Sequence, residues 1–216
     1  MKSAQTTRLG IIGSSGGSAL AAASECLQRA GQKRHWVILT DRPCGMAEWA
    51  SVNAKSSRIL PYQSCKSFSQ EAATYFRQNN VERILLFYTR QVGEELFGTF
   101  ETSNIHPSLL PAFPGLGSVA KSLAAKTGLI GATLHRVDAG LDTGPIVHQV
   151  QSPIDVDASL ALAERISHIQ KVLLTLLWTQ LPNPLVHALT PNIAEAFSQY
   201  CSTLKVDVPI SSLPAL

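Results

Sequence analysis

A short apolar run, Leu9 to Ile12, ends in Gly13-Ser-Ser-Gly16-Gly17-Ser18 and passes directly into an alanine-rich stretch that reaches about Ala30. A buried strand, a glycine turn and a helix in that order open an α/β sheet, and this opening restricts what can follow. Further apolar runs at Trp36 to Thr40 and Val81 to Tyr88 are separated by stretches of helical length. They predict an open, mostly parallel Rossmann-like sheet with helices on both faces and right-handed crossovers over the first hundred residues. Ser67-Phe-Ser-Gln70 reads as a capping box opening a helix to about Gln78.

Past residue 100 the pattern changes. In Asn104-Ile-His106-Pro-Ser-Leu-Leu-Pro-Ala-Phe-Pro-Gly115, the prolines and the glycine after His106 exclude a regular helix or a central strand. A fixed loop just beyond a strand end is expected there. A helix from about Ser118 to Lys126 then leads to two apolar alternating runs, Gly131 to Val137 and Pro145 to Val150, joined by a turn in which Gly140 and Gly144 bracket Asp142. This predicts antiparallel strands in the C-terminal part. From Asp157 to Leu181 apolar residues recur at helical spacing (Leu160, Ala163, Ile166, Ile169, Val172, Leu173, Leu176, Leu177), so a long helix covers a sheet face until Pro182 stops it. Thr190-Pro191 marks a last helix to about Tyr200, and the tail from Val206 is expected to be loosely held.

The 216 residues, 45% apolar, suffice for one full core, and no second module is indicated. Eighteen basic and fifteen acidic residues give a net charge of +3, and the densest basic stretch, Arg29 to His35, reads as a solvated turn. Nucleic acid is therefore not an expected partner. Cysteines 26, 44, 65 and 201 form no Cys-x-x-Cys pair and no zinc spacing, which points to free thiols in a reducing compartment. The Leu9 to Ile12 run is too brief for a signal-peptide core or a membrane span, so a cytoplasmic chain without a membrane partner is expected.

Three side chains carry the chemistry. Asn104 and His106, one residue apart in extended backbone, project to one side. Asp142 supplies a carboxylate that favours the charged form of a neighbouring imidazole. Taken singly, a histidine is more often structural and an Asp between glycines more often a turn-former. Ser108 reads as a loop residue bonded to backbone, and His135 as a strand histidine satisfied by its neighbours. Gly16 and Gly17 admit a ligand close to main-chain N–H groups, a ready anion site. The spacing Gly13, Gly16, Gly17 does not fit the dinucleotide pattern. Asp41 after the second strand and Tyr62-x-x-x-Lys66 raise a short-chain oxidoreductase, but that pair stands too near the glycine turn.

Asn-x-His-Pro-Ser-Leu-Leu-Pro followed by Asp-x-Gly-x-Asp-x-Gly resembles the folate-dependent formyltransferases, most closely the phosphoribosylglycinamide formyltransferase branch. The resemblance is strongest between about Tyr88 and Val150. It implies a single catalytic domain over residues 1–216, with a nucleotide-binding-like lobe to about residue 100 and a catalytic and folate-binding lobe after it. It also implies that an acceptor amine attacks the formyl carbon of 10-formyltetrahydrofolate, a co-substrate, with no metal. By that match Asn104 and His106 meet the oxyanion, and Asp142 supports the imidazole and holds a water that moves a proton. Thr89, Arg90, Gln91 and Val92 contact the folate largely through backbone, together with Asn104 and Asp138, which shapes the turn near the folate ring, and His135 aligns with a histidine that some relatives carry near the site. Ser15, Gly16 and Gly17 hold the acceptor's phosphate. The acceptor implied is phosphoribosylglycinamide or a related phosphorylated amine, and the protein a monomer or homodimer. Several positions depart from the family pattern: Ala19 replaces an asparagine, Gln70 stands near an expected arginine, and the expected ribose-binding acid aligns near Gln170. These departures keep a different amine, such as an amino sugar, and a folate-binding homologue without turnover as alternatives.

Overall fold

The computed structural model describes residues 7–54, 56–181, 188–205 and 209–213. Its contacts form two compact units, Met1–Ser18 with Lys33–Asn104, and Ala19–Gln32 with Ile105–Leu216.

In the first unit, β1 (Arg8–Gly13) leads into a turn, from which α1 (Ser18–Arg29) departs into the second unit. The chain returns as β2 (His35–Thr40), α2 (Gly45–Asn53), β3 (Ser56–Ile59), α3 (Cys65–Gln78), β4 (Arg83–Phe87), the short α4 (Glu94–Phe97) and β5 (Glu101–His106), which continues past the unit's last residue. These five strands lie in the order β3-β2-β1-β4-β5, and every pairing is parallel. β1 and β2 are buried from their second residue onward, as expected for parallel strands whose two faces are both covered. Phe68 and Phe76 of α3 and Met46 of α2 are buried, as are Leu9, Ile11, Ile38 and Ile84 of the strands, and Phe76, Val81 and Ile84 close on the Gly10 position of β1. Gly17 has φ +70°, and a Cβ there would meet Met46 within 3.0–3.2 Å, so both backbone and packing call for glycine.

The second unit contains α1, α5 (Ser118–Ala124), β6 (Leu129–Arg136), β7 (Ile146–Pro153), α6 (Leu160–Trp178), α7 (Pro191–Thr203) and β8 (Ser211–Leu213). β6 and β7 are antiparallel, with an irregularity between Leu134 and His135, and β8 adds antiparallel to β7. Val119, Ile130, Ala163 and Ile166 form a buried cluster flanked by Leu123, Ile154 and Leu162, which seats α5 and α6 on β6. Removing each such branched side chain from water contributes about 1.5–3 kcal/mol. α7 is tied to α6 by a His168–Tyr200 hydrogen bond of 2.7 Å.

The fold class read from the sequence holds, an α/β sheet that is mostly parallel with antiparallel strands at the C-terminal end. Individual elements differ. The cap of α3 is Ser64, whose side chain accepts from Ser67 N, so the helix starts before the predicted box. α6 begins only after its Ser159 cap, because Asp155 Oδ1 accepts from Asp157 N and holds that segment in a turn. Pro182, the expected stop, lies outside the described residues. The tail, expected to be loose, supplies β8, which bonds to the edge that β7 otherwise leaves open.

Candidate active site

His106 is the last residue of β5, and the loop after it runs through a cis Leu110–Pro111 bond. Two residues of the β6–β7 pair hold that loop in place. The Thr133 hydroxyl donates to Ser108 O at 2.7 Å and accepts from Leu110 N at 3.0 Å. The Gln149 amide donates to Leu110 O and to Thr133 Oγ1, both at 2.9 Å. All of these groups are buried, so each hydrogen bond replaces one that water would otherwise supply. Ser108, also buried, donates to Ala112 O at 2.6 Å, which fixes the far side of the loop.

The loop returns the Phe113 carbonyl to within 2.9 Å of His106 Nε2, while the opposite ring nitrogen, Nδ1, lies 3.2 Å from Asp142 Oδ2. A carbonyl and a carboxylate both accept, so each of the two ring nitrogens faces an acceptor and the pair of contacts fixes the plane of the ring. Phe113 has φ +56° and Asp142 φ +55°, left-handed values that non-glycine residues seldom adopt and that tertiary structure must hold.

Asp142 stands in the turn between β6 and β7. Asp138 Oδ1 accepts from Gly140 N at 3.0 Å and from the Thr143 hydroxyl at 2.8 Å, which closes the turn. A Cβ on Gly144 would overlap the Arg136 carbonyl, so no other residue allows the chain to leave the turn this closely. Asp142 Oδ2 also accepts from Gly115 N at 2.9 Å, and Oδ1 faces His135 Nε2 at 3.6 Å. That last separation is an electrostatic contact slightly longer than a hydrogen bond. The three side chains His106, His135 and Asp142 are 6%, 4% and 9% exposed. His135 foremost holds the Asp142 carboxyl below the usual carboxylate range, against burial that pushes it up, with the Gly115 N–H and His106 adding to the lowering.

The second unit therefore brings His106 and Asp142 together and adds His135, whose position facing the same carboxylate a strand pattern does not reveal. Asp138 points its acceptor into its own turn. Asn104, the last residue of the first unit, precedes His106 by two positions in β5, so strand alternation sends both side chains to one face of that strand. Also in the first unit, Ser15 and Gly16 are exposed and Gly17 is half-buried. Thr89, Arg90 and Gln91 are exposed after β4, whereas the Val92 side chain is buried. Gln170 is fully buried and donates to Ile130 O and Ser152 Oγ, which makes it part of the core and not a ligand contact. Asp41 accepts from Arg42 and Arg90, and the Tyr62 hydroxyl donates to the Gln91 carbonyl. Among the described residues no cluster of three or more His, Cys, Asp or Glu is placed to hold a metal ion. No helix among them is long and apolar enough to cross a membrane.

The family model described as formyl transferase matches residues 8–176. The chain belongs to this family. A phosphoribosylglycinamide formyltransferase of Mycobacterium tuberculosis is 35% identical to this formyl transferase over 175 residues, covering 77% of this chain and 81% of the relative. One of Bacillus subtilis is 39% identical over 110 residues, half of this chain and 56% of the relative, so that match spans just over half the relative's length. Among solved structures, a phosphoribosylglycinamide formyltransferase from Bacillus halodurans superimposes on this formyl transferase with a TM-score of 0.71 at 28% identity, covering 84% of this chain and all of that one.

Proposed function

We propose that this chain transfers a formyl group from 10-formyltetrahydrofolate to a small phosphorylated amine, with phosphoribosylglycinamide as the acceptor. One observation carries the reading: a nearly buried Asp142 carboxylate, held in a left-handed turn and 3.2 Å from the His106 ring, inside the stretch that matches the formyl transferase family. The acceptor nitrogen attacks the formyl carbon, a C–N bond forms, and the carbonyl oxygen gains negative charge. Asn104 donates an amide N–H to that oxygen, and the His106 ring lies on the same face of β5. A prepositioned donor of this kind lowers the barrier by roughly 3 kcal/mol. The amine proton passes through a water held by Asp142 to the folate nitrogen as the original C–N bond breaks. Backbone groups of residues 89–92 hold the folate with Asp138 shaping the neighbouring turn, and Ser15, Gly16 and Gly17 receive the acceptor's phosphate. The test is release of tetrahydrofolate on mixing the protein with 10-formyltetrahydrofolate and a panel of small amines. Turnover with phosphoribosylglycinamide supports the reading, turnover with an amino sugar alone reassigns the acceptor, and none with any amine overturns it.

A further inference from the structure

We propose that Arg42 and Arg90 form a guanidinium clamp for the phosphate of the amine acceptor, set on the two sides of the glycine turn by the buried carboxylate of Asp41. This rests on the transfer reading above and assigns two further residues to acceptor recognition.

The placement follows from the sheet. β1 lies between β2 and β4, and Gly13 at its end pairs with Thr40 on one side and Phe87 on the other. The glycine turn therefore leaves the sheet between Asp41-Arg42, which follow β2, and Tyr88-Thr89-Arg90, which follow β4. These are the C-terminal ends of parallel strands, the side on which open α/β sheets bind ligands.

One carboxylate spans that gap. The Asp41 side chain is 1% exposed, accepts a fork from Arg42 (Nε at 2.8 Å, Nη2 at 2.7 Å), and accepts from Arg90 Nε at 3.0 Å and from the Tyr88 hydroxyl at 3.3 Å. A single arginine would balance its charge, and the second leaves the cluster with an excess positive charge. Both guanidiniums remain about half exposed, 47% for Arg42 and 44% for Arg90. Among the described residues, Arg42 Nη1 and both Nη groups of Arg90 have no other partner. The Arg90 guanidinium is also set 4.8 Å above the Tyr62 ring, which limits its orientation. The Arg42 fork holds the Asp41 carboxyl below its usual range, against burial, with Tyr88 and Arg90 adding, so the anchor stays ionised at neutral pH.

The turn between the arginines is open and braced. A Cβ on Gly16 would meet nothing within 4 Å, while behind it Gly45 packs against the Gly16 backbone and Met46 N donates to Ser15 O at 3.0 Å. A compact, multiply charged oxyanion suits the donors that remain beside Asp41, Nη1 of Arg42 and the paired Nη groups of Arg90. A folate carboxylate fits less well, since the folate segment follows β4 and Arg42 lies beyond β1 on the other side.

The test compares kcat/KM for the phosphorylated acceptor and for the same acceptor without its phosphate, in wild type, Arg42→Met, Arg90→Met, the double variant and Arg42→Lys. Inorganic phosphate serves as a competitor, and binding of phosphate alone is measured by calorimetry. The clamp predicts that preference for the phosphorylated acceptor falls at least about tenfold for each Met substitution. It also predicts that phosphate affinity falls in parallel and that Arg42→Lys recovers part of the loss. An unchanged preference in the double variant overturns the proposal, as does a rise in KM for the formyl donor without loss of preference. A loss of folding stability alone also overturns it. If the wild type transfers to no amine, the transfer reading fails, and calorimetry with phosphate still decides the clamp: equal affinity in wild type and double variant refutes it.

Discussion

Replacing Thr133 by Val tests how the loop that presents His106 is held. The two side chains have nearly the same shape, so the change removes hydrogen bonds and little else. The Thr133 hydroxyl serves Ser108 O, Leu110 N and Gln149 Nε2, and the residue is fully buried. Leaving a buried group unpaired costs about 1–3 kcal/mol. The Ser108 carbonyl and the Leu110 N–H both lose the bond to this hydroxyl, and Gln149 keeps its bond to Leu110 O. The expected cost is therefore about 2–6 kcal/mol, a large fraction of a typical total of roughly 5–15 kcal/mol. Thr133→Ser keeps all three bonds and loses one methyl group, about 1 kcal/mol. Urea unfolding of the three proteins gives the stabilities, and kcat at saturating substrates reports the loop, since a displacement of about 1 Å costs up to about a hundredfold in rate. A Thr133→Val protein as stable as Thr133→Ser would refute the reasoning, because the clamp would then contribute nothing that shape alone does not.

Asp142 is held below its ordinary carboxylate range, so its ion pairing stabilises the fold fully above the unfolded value of about 3.9 and is lost as pH falls through the lower folded value. The stability difference between wild type and Asp142→Asn should therefore stay flat down to about pH 5 and shrink only in more acid solution, as followed by urea unfolding against pH. Gly144→Ala forces a Cβ onto the Arg136 carbonyl and should cost more than about 2 kcal/mol, read as a drop in the thermal midpoint. Gln170→Ala removes two core hydrogen bonds and should lower stability by about 2 kcal/mol or more while leaving the acceptor KM unchanged.

Periodicity and punctuation carried the fold where burial is continuous. β1, β2 and β4 are apolar runs because parallel strands are covered on both faces, and α6 shows its apolar stripe over nineteen residues. The elements without that signal were not legible. β3 reads Ser-Ser-Arg-Ile because it is an edge strand with little apolar surface to cover, and β8 is defined only by its pairing with β7. α2 buries only Met46 and Ala50, too few for a helical stripe. In the site, the Pro/Gly frame marked His106 and Asp142. The contribution of His135 depends on a turn bringing Asp142 back to its own strand, and that of Asp41 on two strands flanking β1, neither of which local sequence encodes. Gln170 shows the converse, where a polar residue expected near a ligand contact is taken up by core packing.

The most direct measurement is single-turnover release of tetrahydrofolate by wild type and Asp142→Asn at neutral pH, with binding of the folate measured separately. Asparagine tolerates the left-handed backbone at this position, so the substitution keeps the turn and removes the charge. The account predicts a rate reduced by at least about a hundredfold with folate affinity nearly intact. A variant that releases tetrahydrofolate within a few-fold of the wild-type rate would contradict it.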